Sequence, residues 1–396
     1  MRILFLSAWH PYPPDNGSKL RIFNILCELA KHHEITLLSF ADNPQLAKVH
    51  ELEAICKSVH VLPKKDYDAG SNRAVLGFFG KKPRVLADRF VPEMDQMIRK
   101  EISNGDHDLV IASQIYMADY LDYEFNIPAI FEEVEIGVFI DAVQDAGNLI
   151  SKTRRQLTLS KLQSYFHTLL PNFTFTTVVS EMEKDLVQDL VPEYQAVEVI
   201  PNGVSIASYQ EVSEQPQPGQ LIFTGALTYA PNYHAMQWFA GQVLPLVNEV
   251  DPNVQLIITG DHASIQLDNS QNVNLVGYVE DIRPLIASSW ISIAPIFSGG
   301  GTRLKILEAF GLQTPVIATS KGAEGLDVQH EKHLLIADTV ESFAQETIRL
   351  LNDVELRHEL VSNAFKLVLE KYDWSVIMPK FLSLVDSAVE SKNKFL

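Results

Sequence analysis

Short apolar runs, separated by longer stretches of helical spacing, occur in two successive series along the chain. The first run, RILFLSA at 2–8, is apolar at consecutive positions, as expected of a strand covered on both faces. In SKLRIFNILCELAKH (18–32), Leu20, Phe23, Leu26 and Leu29 recur near helical spacing. Further strands are predicted at 34–40, 108–112, 128–131, 174–179 and 196–200, with helices between them. This alternation builds a parallel sheet. The polar, Pro- and Gly-containing stretch SEQPQPGQ (213–220) reads as a linker. The alternation then restarts, with strands at 220–225, 254–259, 272–276, 290–295, 315–318 and 333–337. Helices are predicted near 232–248, 281–287, 303–311, 339–352, 354–370 and 375–391. Two such domains imply a cleft, with ligands at the carboxyl ends of the strands.

Composition narrows the class. A chain of 396 residues, 46% hydrophobic, can build two or three cores. No run approaches the ~18 apolar residues of a membrane span. The opening MRILFLSAWHPYPP has prolines where a signal peptide needs a small-residue cleavage site, so it reads as a buried strand. Two cysteines, Cys27 and Cys56, in helix-like segments point to a reduced, cytoplasmic protein. A net charge of −18 argues against nucleic-acid binding. Residues 61–100 run the other way, with nine Lys/Arg against five Asp/Glu around Leu76, Phe78 and Phe79. That segment is either a solvated loop and helix or a patch for anionic lipid or a charged acceptor.

The stretch IAPIFSGGGTRLKILEAF (293–310) carries the chemistry. A strand ends, Gly299, Gly300 and Gly301 follow, and a helix begins near Arg303, so backbone N–H groups surround an anion site. Cations in a first helical turn cost roughly 0.3–1 kcal/mol each. Arg303 and Lys305 make sense there if a diphosphate lies between them. Glu308, one turn beyond Lys305, is placed to accept hydrogen bonds from ribose hydroxyls or to form a weak surface pair. The stretch is neither a P-loop nor G-x-G-x-x-G. Gly17 and Ser18, in HPYPPDNGSKLR, sit where a turn meets a helix N-terminus. They suit a donor phosphate or sugar, with Lys19 or Arg21 adding charge, or simply begin a capped surface helix. DYD (66–68), DHD (106–108) and HEKH (330–333) lack the context or spacing of metal sites, so no metal is expected.

At these residues the sequence resembles glycosyltransferase family 4, in a subgroup carrying GGGTRLKILEA. The resemblance covers nearly the whole chain. It includes ILFLSAWHPYPPDNGSKLRIFNIL, TVVSEMEKDLV (177–187), VIPNGVSIASY (199–209), LIFTGALTYAPNYHAMQWF (221–239) and residues 274–326. It implies an α/β protein of the GT-B fold, two Rossmann-like parallel-sheet domains facing a central cleft. Residues 1–205 plus the C-terminal helix 375–396 would form the acceptor-side domain, and 206–374 the nucleotide-sugar donor-binding domain. The implied activity is a metal-independent, hexosyltransferase-like transfer, with retained configuration, from a nucleotide-diphosphate sugar to a hydroxyl acceptor. The donor would be UDP- or GDP-linked, with no other cofactor, and the acceptor a glycan or lipid-linked molecule of polysaccharide biosynthesis. The cysteine and charge readings add a cytoplasmic location, with residues 61–100, where they are more than a solvated segment, as the point of peripheral contact at the inner membrane face.

The implied donor-binding residues are Gly17, Gly225, Gly299, Gly300, Gly301, Thr302, Arg303, Lys305 and Glu308; those of catalysis are Arg303, Lys305 and Glu133. Two departures accompany the likeness. The first of the family's two glutamates would fall at Gly300, and Val134 stands where relatives carry a sugar-contacting His, leaving Glu133 or Glu135 for that contact. GALTYAPNYH lacks the usual cations, His234 aside. The alternatives are a catalytically inactive nucleotide-sugar-binding or scaffold protein, and a sugar-nucleotide epimerase.

Overall fold

The strand Arg2–Ser7 (β1) is buried from Ile3 onward, because it lies inside a sheet rather than at its edge. The structure, a computed structural model, describes all residues except 124, 145, 264, 266, 268, 269, 300–302 and 394–396. The described chain forms two units, Met1–Pro201 with Met378–Leu396, and Asn202–Ile377.

The first unit holds seven strands: β1, β2 (Glu34–Ala41), β3 (Ser58–Pro63), β4 (Leu109–Ser113), β5 (Ala129–Glu132), β6 (Phe175–Val178) and β7 (Val197–Val199). Their order is β3-β2-β1-β4-β5-β6-β7, and every pairing is parallel. The order reverses between β1 and β4, which leaves a crevice at their carboxyl ends. The apolar pattern does not announce β3, for a physical reason. It is an edge strand with no fully buried residue, whereas β4 is buried at all five positions.

The second unit's strands are β8 (Gln217–Thr224), β9 (Gln255–Thr259), β10 (Val273–Gly277), β11 (Ser289–Ala294), β12 (Val316–Ala318) and β13 (Leu335–Ile336). Their order is β10-β9-β8-β11-β12-β13, again all parallel. Alternate residues of β8 enter different cores. Leu221 and Phe223 pack with Leu256 and Phe343, and Ile222 packs with Phe310 and Val316. The stretch 213–220 is therefore only partly a linker, since β8 already begins at Gln217. The reversal between β8 and β11 makes the second crevice. The last helix, Trp374–Asn393, starts among second-unit residues, and from Met378 its residues belong to the first unit.

Candidate donor and sugar sites

Residues 295–298 connect the end of β11 at Ala294 to Gly299, beyond the second sheet's reversal. Gly299 has φ +90, and a Cβ there would stand 2.9 Å from the Tyr229 hydroxyl, so the turn needs glycine both for its backbone and for space. Gly300, Gly301 and Thr302 lie outside the described residues. Arg303 caps the helix Leu304–Gly311 and is buried. Its Nη2 donates to the carbonyls of Gly299 (2.7 Å) and Lys321 (3.0 Å). The guanidinium thus ties the glycine turn to the neighbouring backbone, a role the sequence did not disclose.

Lys305 reaches the end of β8. Its ammonium donates to Asn232 Oδ1 (3.2 Å) and stands 3.8 Å from the centre of the Phe223 ring. Asn232 is held in turn by its Nδ2–H bond to the Ala226 carbonyl (3.0 Å). Gly225, with φ +143, leaves room for both. A Cβ on it would come within 2.6 Å of Asn232 Nδ2 and 3.4 Å of Lys305 Nζ. Burial, and next the charge of Arg303, push the Lys305 ammonium down to about 7, with Glu308 opposing. Burial pushes the Glu308 carboxyl up to about 7, against the pull of Lys305. Gly225, Gly299, Arg303, Lys305 and Glu308 therefore converge at one sheet reversal, with Asn232 and Tyr229 as unforeseen neighbours. His234 is exposed and rests its ring on Tyr233 (5.5 Å between centroids).

In the first unit, Gly17 begins the helix Gly17–Ala30, capped by Asn16, whose side chain accepts from the Lys19 N–H. Lys19 pairs with Asp15 (2.9 Å). Arg21, which the sequence offered with Lys19 as added charge for a donor phosphate or sugar, is instead fully enclosed. Its Nε pairs with Glu132 Oε1 (2.5 Å), and its Nη1 donates to the Pro201 carbonyl (3.1 Å). Helical spacing turns Arg21 onto the buried face of its helix, beside Ile22 and Ile25. Ser113 donates to the second Glu132 oxygen (2.7 Å).

The residues just after β4 and β5, Gln114 (φ 69, ψ 158) and Glu133 (φ 60), both have positive φ. For Gln114 this is a region populated almost only by glycine, and such strain, of order 1–3 kcal/mol, gathers at functional sites. The Trp9 indole N–H donates to Gln114 Oε1 (2.6 Å), and Gln114 Nε2 donates to Glu133 Oε2 (3.1 Å). Burial, then the charge of Glu132, raise the Glu133 carboxyl well above the usual range, with Arg21 opposing. A protonated Glu133 is a hydrogen-bond donor near neutral pH. Val134 is buried hydrocarbon. Trp9 and Gln114 escaped sequence reading because only the fold brings the three loops together.

The discounted motifs have structural duties. Asp106 and Asp108 bind the side chain and the backbone N–H of Arg2. His330 and His333 accept from the Ile336 and Gln329 N–H groups (2.9 and 3.0 Å).

Comparison with known proteins agrees with this architecture. A solved sucrose-phosphate synthase from Thermosynechococcus elongatus superposes with a TM-score of 0.73 at 15% identity, over 99% of this chain and 100% of that chain. Anabaena HepE in complex with UDP and glucose gives 0.67 at 16% identity, over 98% and 100%. Residues 218–353 match the family described as "Glycosyl transferases group 1". The chain is a GT-B protein related to that group. A Klebsiella pneumoniae protein, described as an uncharacterized 44.6 kDa protein in cps region, is 22% identical over 94% of this chain and 96% of its own length.

Proposed function

We infer that this GT-B protein is a retaining glycosyltransferase that moves a sugar from a nucleotide-diphosphate donor to a hydroxyl of a glycan or glycolipid. The observation that carries the reading is the placing of Lys305 beside Gly225 and Asn232, at the sheet reversal where the glycine turn also ends. In this reading Lys305 and the N–H groups of the turn, Thr302 included, receive the diphosphate. Arg303 keeps the turn in shape and adds charge, and Glu308 accepts from the ribose hydroxyls. Gly17 and Glu133 are assigned to the sugar, Glu133 as a hydrogen-bond donor. The bond from the anomeric carbon to the diphosphate breaks with its electron pair going to the diphosphate. A bond to the acceptor oxygen forms, and the acceptor's proton goes to the departing diphosphate, because Glu133 already holds one. No metal takes part: the charge growing on the leaving group is met by Lys305, Arg303 and backbone dipoles.

UDP is the first nucleotide to test, because the structurally similar HepE is described with UDP and glucose. In a thermal-shift comparison of UDP, GDP, ADP and CMP, one diphosphate should stabilise the fold by about 3 kcal/mol at ~100 times its Kd. Its sugar conjugate should then be consumed only with an acceptor present. A stabilising nucleotide whose sugar conjugate is never consumed would favour the inactive, binding reading, to which the hydrocarbon of Val134 at the place of a polar contact lends some support.

The ionisations near 7 predict a pH profile. The diphosphate needs charged Lys305, and affinity contributed by that ammonium is complete below pH 7 and falls as pH rises through 7. The ribose contact needs ionised Glu308, and affinity contributed there is complete above pH 7 and falls as pH drops through it. Calorimetric titration of UDP should therefore show strongest binding near pH 7. Lys305→Met should flatten the alkaline limb and Glu308→Gln the acid limb. Limbs that persist in both variants would disprove the assignment.

A further inference from the structure

Residues 73–84 of the first unit show an unusual combination of exposed hydrocarbon and unneutralised positive charge. Leu76 is 68% and Phe79 90% exposed, with Val75 and Phe78 also open. This exposure is not fraying, because the segment is sewn down by its own arginines and by Lys161 of a neighbouring helix. Lys161 Nζ donates to the carbonyls of Gly77 (2.7 Å), Phe78 (2.7 Å) and Gly80 (2.8 Å). Arg84 donates to Ala74 O (2.6 Å) and Ala69 O (2.9 Å), with its guanidinium 3.7 Å from the Phe78 ring centre. Arg73 donates to Phe90 O (2.8 Å).

Each of these partners is a neutral carbonyl, so the charges remain. Not every cation here is left this way: Lys82, within the segment, and Lys64 and Lys65, before it, pair with aspartates. The patch continues along the helix Leu149–Leu169. Ile150, Arg154, Leu157 and Lys161 fall on one helical face by their spacing. Ile150 is 83% and Leu157 44% exposed. Lys81 and Arg154 are exposed as well, and among the described residues no carboxylate pairs with either. Arg73, Leu76 and Lys81 also line one open groove.

We propose that this face, centred on Phe79 and Ile150 and framed by Arg73, Lys81, Arg84 and Arg154, docks the protein on an anionic lipid bilayer. Exposed hydrocarbon held on an ordered backbone, on a segment and a helix that Lys161 ties together, marks an interaction surface. The cation ring on a chain of net charge −18 selects a negative partner, and aromatic and aliphatic side chains enter the headgroup boundary. A soluble anion would account for the charges but not for the exposed apolar side chains. The proposal does not depend on the transfer chemistry, which uses other residues.

The test is co-sedimentation of the full chain with vesicles of phosphatidylcholine alone, or with about one third phosphatidylglycerol. Binding to the anionic vesicles should be at least ~10 times tighter and weaken with salt. Lys81→Glu combined with Arg154→Glu should abolish that difference. Phe79→Ser combined with Ile150→Ser should weaken binding ~10-fold, while Val250→Ser, an exposed apolar position of the second unit, should not. Melting temperatures of the variants report that they fold. Equal binding to both vesicles, no binding, or folded variants that bind like the parent would overturn the proposal. So would release from the vesicles by millimolar glycerol 1-phosphate, which would assign the cations to a soluble phosphate.

Discussion

Replacing Lys305 by methionine lowers sugar transfer by about 10²–10³-fold, the loss typical of removing one strong contact to charge that develops in the transition state. The side chain stays about the same length and keeps its contact with the Phe223 ring, so the change is mainly one of charge and hydrogen bonding. Asn232 loses the donor it accepts from but keeps its bond to the Ala226 carbonyl, which leaves the local fold in place. Stability in the absence of nucleotide should therefore hold or rise, because a desolvated ammonium is removed. The nucleotide that stabilises the parent protein should no longer raise the melting temperature. A Lys305→Met enzyme with parental turnover would remove the main support for the donor site. Arg303→Ala is a less clean probe. Its Nη2 holds two carbonyls, so loss of activity there mixes lost charge with a loosened glycine turn.

Arg21→Met should destabilise the first unit by about 3–5 kcal/mol, since it leaves Glu132 buried and without its cation. The Ser113 hydroxyl remains as one donor to that carboxylate, which limits the loss but does not replace a charge. Changing Glu132 to Met as well should restore much of the stability, because a hydrocarbon pair avoids the desolvation of two ions. Hydrogen exchange resolved to β1, β4 and β5 is the suitable measurement, as it reads this unit separately from the other. If Arg21→Met exchanges like the parent protein, the pair adds nothing and the strain at Gln114 and Glu133 is held by other contacts. The ion pair also sits beside Glu133, whose Oε1 lies 3.9 Å from Arg21 Nε. Its removal should push the Glu133 carboxyl further up, since it takes away a cation that opposes the shift.

How much of this was legible in sequence varied with the kind of force involved. β1 and β4 were plain because strands covered on both faces must be apolar at successive positions. β3 was hidden because an edge strand need not be. A positive-φ glycine between β11 and the helix that begins at Leu304 was readable, since a strand, glycine and an apolar helix state a local geometry. The Gly225–Asn232 contact was not, because the two residues meet only where a turn folds back over the end of β8.

The sequence by itself determined the two series of strands and helices, the positive-φ glycine after β11 and the cations that follow it, because those depend on neighbours a few residues apart. The tertiary structure alone decided what each charge does. Arg21 and Arg303 read as the same kind of phosphate-binding side chain, yet one is sealed against Glu132 and the other clasps backbone carbonyls. Lys305 became the cation at the sheet reversal, with its ionisation moved toward neutrality. Burial and the choice of partner set a group's charge state and its freedom to meet a ligand. Both come from residues as distant in sequence as Arg21 and Glu132, which local pattern cannot join.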